Sequence, residues 1–361
     1  MNRLQKLAAA AKELQVDALL LNSEVNMQYA TLYPRLEGIV IIDTEGRGVC
    51  FTDSRYIEDA AKKLTPLGYQ VIEPEGSYPT VRTIADYFAK KQYRRVAYED
   101  CRMTVSEFRA YQREVKAELV PMGEAVEALR QIKEPQEIEW ITTAQRIAER
   151  ALKRLLPEIK VGAYEDELCA KLRYYMAVEG STGFAPGMIL VGGATTSMPH
   201  GQPTHKKLEA GTFVTIDYGA EWNGYQSDMT RTFALGSCTE KMALVYHTVQ
   251  QAQLAGLDAF EAGKTGMEVD RAARSVIEAA GFGAYFGHGL GHSLGLEIHE
   301  NPRASRTYTG RFTTCNIITV EPGIYIPDEF GVRIEDMVWL PPEGGKQNLT
   351  NFPKELTVLD T

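Results

Sequence analysis

The chain has 361 residues, 44% of them hydrophobic, enough apolar material for one large soluble domain or two ordinary ones. Its 48 acidic and 39 basic residues leave a net charge of -9, and no basic run forms the footprint a nucleic acid would need. No stretch approaches the roughly 20 consecutive apolar residues of a membrane span, so membrane proteins and nucleic-acid binders are both poor readings.

The N-terminal "MNRLQKLAAAAKELQVDALLL" mixes charges through an amphipathic helical pattern without a signal-peptide core, which points to a cytosolic protein. Cys50, Cys101, Cys169, Cys238 and Cys315 are odd in number, far apart and never in a Cys-x-x-Cys pair, as expected of reduced, structural thiols. Up to about residue 124 helical and strand patterns alternate: "LQKLAAAAKELQ", "DALLLN", "GIVIIDTEG", "GVCFTD", a helix near "SRYIEDAAKKL", "VRTIADYFAKK" and "RVAYE". This predicts a small α/β domain over 1–124. The remainder, 125–361, has a helix starting near Pro135 with apolar residues recurring at Ile138, Ile141, Ala144 and Ile147. No low-complexity linker separates the two.

The second domain carries an approximate internal repeat. A helix near residue 138 and "VGAYEDELCAKLRYYMAVEG" lead to "TFVTIDYGA" and "GYQSDMTRT"; later "TEKMALVYHTVQQAQLAGLDAF" and "TGMEVDRAARSVIEAAG" lead to "NIITVEPGI" and "GVRIEDMVW". In "VTID" Asp217 shares a strand face with Thr215, and in "ITVE" Glu321 shares one with Thr319, while Val214, Ile216, Ile318 and Val320 face the other way. Asp228 lies four residues after Gly224 and Glu335 four after Gly331, an offset that favours Glu335 over Asp336. Four converging carboxylates repel severely unless protons or cations neutralise them. With one histidine added, two divalent cations would cancel the formal charge and a bridging hydroxide could serve as nucleophile. Oxygen-rich ligation with a single imidazole points to Mn²⁺, with Co²⁺ or Fe²⁺ as alternatives.

The stretch "GHGLGHSLGLEIHE", residues 287 to 300, holds three of the chain's six histidines: His288, His292 and His299. Its glycines argue against a helix carrying a two-histidine zinc motif. The second half alternates as an extended strand would, with Leu294, Leu296 and Ile298 on one side and Ser293, Gly295, Glu297 and His299 on the other. A straight strand would turn His292 and His299 to opposite faces, so sharing one cavity requires a bend, expected at Gly295.

These residues resemble the aminopeptidase P and prolidase branch of the metallopeptidases with the pita-bread fold. "HGLGHSLGLEIHE" matches that branch's signature throughout, and "TIDYG", "SDMTRT", "TVEPGIY" and "RIED" stand in the family's order. The first domain resembles the family's N-terminal domain more loosely, through "FTDSRY" and "LRQIKEPQEI". The resemblance implies an α/β (α+β) chain in which a creatinase/prolidase-like N-terminal domain precedes a pseudo-two-fold pita-bread catalytic domain. It implies that Asp217, Asp228, His292, Glu321 and Glu335 hold two metals, Asp228 and Glu335 bridging them. It also implies that His200 and His299 stabilise charge on the scissile carbonyl oxygen, that Glu321 moves the proton, and that His288 lies near the proline pocket; Arg333 shares a strand face with Glu335 and is expected to reach the cavity too. His205 and His247 match no family site and are expected in a loop and on a helix. Relatives usually carry a Ser-Phe-Asp-like segment where this chain has "STGFAPGMILVGG", so the pocket wall there departs from the family pattern.

The implied activity is that of a homodimeric Xaa-Pro aminopeptidase acting on short proline-containing peptides, with Xaa-Pro dipeptidase (prolidase) as the alternative. A dipeptidase must capture the free carboxylate of proline, ideally with an arginine, and beyond Arg333 no second arginine is evidently placed for it. A non-catalytic pita-bread binding protein, or a metal-free hydrolase resembling creatinase, leaves the complete ligand set unexplained. Methionine aminopeptidases usually lack both the large N-terminal domain and a counterpart of His288.

Overall fold

A computed structural model describes residues 2–76 and 78–360. The chain divides into two units, Met1–Arg130 and Gln131–Thr361. In the first, Asn2 and Gln5 cap each other's backbone at 2.9 and 3.0 Å and start helix α1 (Arg3–Glu13). There follow β1 (Ala18–Leu21), α2 (Glu24–Thr31), β2 (Ile39–Asp43), β3 (Gly48–Phe51), α3 (Ile57–Leu64), β4 (Tyr69–Ile72), α4 (Val81–Lys91), β5 (Arg95–Tyr98), α5 (Val105–Glu114), β6 (Glu118–Pro121) and α6 (Ala125–Gln131). The strands form one mixed sheet in the order β4-β3-β2-β1-β5-β6. Ala18, Leu20, Ile39, Ile41, Val49 and Phe51 pack from its centre against Ile84 and Phe88 of α4.

Five of these elements, α2, β4, α5, β6 and α6, go beyond the patterns read from the sequence. In α2 even Asn26, Gln28 and Thr31 are buried, so it shows no apolar stripe. In β4 and β6, at the two edges of the sheet, the apolar residues are largely half-exposed. Helix α5 buries only Tyr111 fully, although the Thr104 and Glu107 capping box marks its start. Arg130 on α6 donates to Asn26 Oδ1 of α2 at 3.0 Å, which ties that helix into the first unit.

The second unit begins with α7 (Pro135–Leu155), started by Pro135 and by Glu137 accepting from Glu134 N at 2.7 Å, with Ile138, Ile141, Ala144 and Ile147 buried. Helix α8 (Glu165–Val178) packs on it, followed by β7 (Gly183–Phe184), β8 (Ile189–Gly192), β9 (Thr212–Tyr218), β10 (Ala220–Trp222), β11 (Tyr225–Gln226) and β12 (Met229–Leu235). Strand β9 runs antiparallel between β8 and β12, and its Val214 and Ile216 join α7 and α8 in one core.

The second half repeats this plan with α9 (Glu240–Ala259), α10 (Gly266–Ala279), β13 (Gly291–Ser293), β14 (Glu300–Ala304), β15 (Ile317–Val320), β16 (Gly323–Ile326), β17 (Phe330–Arg333) and β18 (Asp336–Trp339). Strand β15 pairs antiparallel with β18, and Ile318 and Val320 join α9 and α10 in a second core. Asp217 on β9 and Asp228 just before β12 thus correspond to Glu321 just after β15 and Glu335 just before β18. This is the pseudo-two-fold catalytic architecture expected from the sequence. His205 lies in a loop, stacked on Tyr164 at 3.9 Å, and His247 lies on α9.

One expected element is absent. Residues 295–299 form bends rather than an alternating strand, because Gly295 N bonds back to Glu297 O at 3.0 Å and Ser293 pairs across the loop with Glu300. Gly295 begins these bends, as its position suggested, and a Cβ there would also stand 3.1 Å from Glu300 Oε1 and 3.2 Å from Lys133 Cε.

Candidate metal centre

The strand pairs of the two halves meet edge to edge. Glu335 N donates to Thr230 O at 3.2 Å, and buried Arg231 grips the Glu335 carbonyl at 2.6 Å. Alternation then aims the acids. Asp228 and Thr230 lie two residues apart on one face, as do Thr319 and Glu321. Thr230 Oγ1 donates to Glu335 Oε2 at 2.7 Å, and Thr319 Oγ1 donates to Glu321 Oε1 at 3.2 Å. Asp336 is held elsewhere, by Arg231 at 2.7 Å, by Gln253 at 3.0 Å and by Lys354, so the choice of Glu335 over its neighbour has a structural basis.

All nine residues singled out in the sequence line one cavity of about 560 Å³: His200, Asp217, Asp228, His288, His292, His299, Glu321, Arg333 and Glu335. His292 Nδ1 donates to Ser293 O at 3.1 Å, leaving Nε2 to face Glu321 Oε1 at 3.3 Å and Asp228 Oδ2 at 3.8 Å. The rings of His292 and His299 meet edge-on with centroids 4.4 Å apart, so the bends after Ser293 achieve what a straight strand would not. His200 follows a short 3₁₀ turn (Gly193–Ser197) fixed by Thr196 Oγ1, which accepts from Gly331 N at 2.9 Å.

The electrostatics call for positive charge. Burial, then the neighbouring Asp217, pushes the Asp228 carboxyl well above its ordinary range, and burial, then Asp228, does the same to Glu335. Burial also raises Asp217 against the pull of Arg333. Burial pushes Glu321 upward too, but the His292 imidazole outweighs it and brings Glu321 down to about 2, while His292 is raised in turn by Glu321 against its own burial. Asp228, His292 and Glu335 offer ligand atoms within 4.8 Å of one another, and Glu335 Oε1 is buried without a hydrogen-bond partner. An orphaned carboxylate oxygen inside a cluster of oxygen donors with one imidazole fits a divalent cation.

Several contributors were not evident in the sequence. Tyr325, four residues after Glu321 in "EPGIYI", receives a bond from Arg333 Nη1 at 2.9 Å and lies 3.0 Å from His288 Nε2. His288 Nδ1 donates to Gly289 O at 2.8 Å and burial lowers its pKa, so the neutral ring accepts from the tyrosine. Arg333 also donates to Asp217 Oδ2 at 2.5 Å, Thr230 Oγ1 at 3.0 Å and Pro199 O at 3.2 Å. Arg274 on α10 pairs with Asp270 at 2.8 Å and donates to the Phe286 and His288 carbonyls at 2.9 and 2.8 Å, fixing the start of the histidine segment. Arg303 on β14 lines the same cavity with no ion-pair partner among the described residues. It is a second arginine in the cavity beside Arg333, one the sequence reading did not place there. The signal was there in "HENPRAS": Arg303 is four residues past His299, beyond the quoted signature.

Known protein families match the chain over both units. Residues 139–341 match the metallopeptidase family M24, and residues 3–132 match the creatinase/prolidase N-terminal domain. The uncharacterized peptidase YqhT of Bacillus subtilis is 37% identical over 99% of this chain and 100% of its own. Among solved structures, an Xaa-Pro dipeptidase from Bacillus anthracis has a TM-score of 0.94 at 36% identity, covering 99% of both chains. An X-Pro aminopeptidase from Thermotoga maritima has a TM-score of 0.90 at 31% identity, covering 97% of this chain and 99% of its own.

Proposed function

The chain belongs to metallopeptidase family M24, and on that footing we propose that it hydrolyses the bond between an N-terminal residue and proline, acting best on dipeptides. Asp217, Asp228, His292, Glu321 and Glu335 would hold two divalent ions, with Asp228 and Glu335 shared between them and Mn²⁺ the best match to the donor set, ahead of Co²⁺ or Fe²⁺. Bound there, the ions would supply Lewis acidity and would lower the pKa of the attacking water. Glu321 takes the proton from that water and returns it to the proline nitrogen as it leaves. His200 and His299 donate to the carbonyl oxygen as its negative charge develops. His288, kept neutral and oriented by Tyr325, forms part of the proline pocket. The resemblance that motivates these roles also supports a cytosolic homodimer; among the described residues no helix is long and apolar enough to cross a membrane.

The observation that favours a dipeptidase is Arg303. The donors of Arg333 are engaged by Asp217, Tyr325, Thr230 and Pro199, whereas Arg303 brings an unpaired guanidinium to the cavity. A planar fork of donors suits a free carboxylate, and a longer peptide offers a neutral amide at that point. The earlier preference for an Xaa-Pro aminopeptidase loses its premise once Arg303 is counted. The test is a panel of Xaa-Pro dipeptides against matching Xaa-Pro-Yaa tripeptides with Mn²⁺. Dipeptides should have the higher kcat/KM, and Arg303→Ala should raise their KM at least about tenfold, as expected for a lost charge-assisted bond, with little change for tripeptides. Equal or better cleavage of tripeptides, unaffected by Arg303→Ala, would return the assignment to the aminopeptidase.

A further inference from the structure

Two parts of the motifs that carry the family resemblance have no role in the chemistry above: "LRQIKEPQEI", and the last glutamate of "HGLGHSLGLEIHE". They meet inside the second unit. Lys133 Nζ donates to Glu300 Oε2 at 2.8 Å, with both side chains almost wholly removed from solvent. The other oxygen of that carboxylate accepts from Glu297 N at 3.1 Å. One carboxylate therefore closes the turn that ends at His299. The turn's opening is held by Gln226, whose N donates to Gly295 O at 2.8 Å and whose Nε2 donates to Leu296 O at 3.1 Å, and by the buried side chains of Leu294 and Leu296.

His299 itself is exposed, and among the described residues its ring has no hydrogen bond; its edge-on contact with His292 is the only ring contact it makes. Its position is therefore set by its backbone. A buried ion pair adds little net stability over an apolar pair of equal volume, but its bonds are directional and fix one geometry. We infer that the Lys133–Glu300 pair is a positioning element that holds the 294–299 turn so that His299 stands in the cavity beside His292. This rests on the reading of His299 as the donor to the carbonyl oxygen. Lys133 is itself anchored through its backbone N to Cys315 O at 2.9 Å, so the segment ahead of α7 acts as the fixed support.

The test uses Lys133→Met and, because a single variant leaves a buried charge unpaired, the charge-free pair Lys133→Met/Glu300→Gln. In the metal-free protein the His299 ring resonance, shifted by the adjacent His292 ring, should move toward the position of a solvent-exposed histidine in whichever variants fold. In the metal-loaded enzyme kcat should fall between about tenfold and 100-fold, the scale of a misplaced catalytic group, with bound metal unchanged. In a His299→Ala background the same substitutions should cause no further loss. An unmoved His299 resonance, or an equal loss of kcat with and without His299, overturns the inference. If His299→Ala alone leaves kcat intact, the catalytic reading of His299 fails, and the resonance still decides whether the ion pair positions the ring.

Discussion

Asp228 has to serve two states of the protein. Buried beside Asp217, its carboxyl is raised well above the ordinary range, as is that of Glu335. A folded-state pKa above the unfolded one stabilises the metal-free fold below the ordinary carboxylate range, and that contribution is lost as pH rises through the raised value. Asparagine has no proton to lose. Metal-free Asp228→Asn should therefore melt above the metal-free wild type, with a gap that widens from pH 5 to pH 8, while its Mn²⁺ content and peptidase activity collapse. A gap that narrows as pH rises would contradict the account. The four carboxylates that meet in the cavity were legible because acids at matching strand ends in two halves are a pattern in one dimension. Tyr325, Arg274 and Arg303 were less so, since their contacts form only when β14, β16 and α10 converge on the cavity.

At the scale of elements, the glycine-rich segment misled in one half and informed in the other. Alternation of Leu294, Leu296 and Ile298 implied a strand, yet Leu294 and Leu296 are buried, and Ile298 half-buried, by bends whose bonds come from Gln226, distant in sequence, and from nearby Glu300. The glycines before it were better guides, because they mark close approach. A Cβ on Gly291 would lie 1.9 Å from Thr319 O, where β13 passes β15. Backbone cannot retreat as a flexible side chain can. Gly291→Ala should cost about 3 kcal/mol, the upper part of the usual overpacking range, and should displace His292, so that urea denaturation and Mn²⁺ content both report it. By contrast Gly287 has nothing within 4 Å of its notional Cβ, and Gly287→Ala should leave both unchanged.

For the molecule as a whole, the repeat matters more than either half. Each half of the second unit has its own core, α7 and α8 with β9 in one, α9 and α10 with β15 in the other. The residues of the cluster are divided between them: Asp217 and Asp228 come from the first, and His292, Glu321 and Glu335 from the second. A cation held among them would be shared by both halves, and its binding energy would add to the stability of the unit as a whole. Ligand at 100 times its Kd stabilises by about 2.7 kcal/mol, so chelator-treated protein should gain several degrees in Tm when Mn²⁺ is restored. Uptake must also expel protons from Asp228 and Glu335, whose pKa values are raised, and from His292 to the extent that Glu321 raises its pKa. Mn²⁺ affinity should accordingly strengthen as pH rises. Calorimetric titration of metal-free protein in two buffers of different ionisation enthalpy measures the protons released and the number of ions bound per chain. Release of protons with two ions bound is the expected result; uptake of one ion without proton release would leave the four-carboxylate cluster without the role proposed for it.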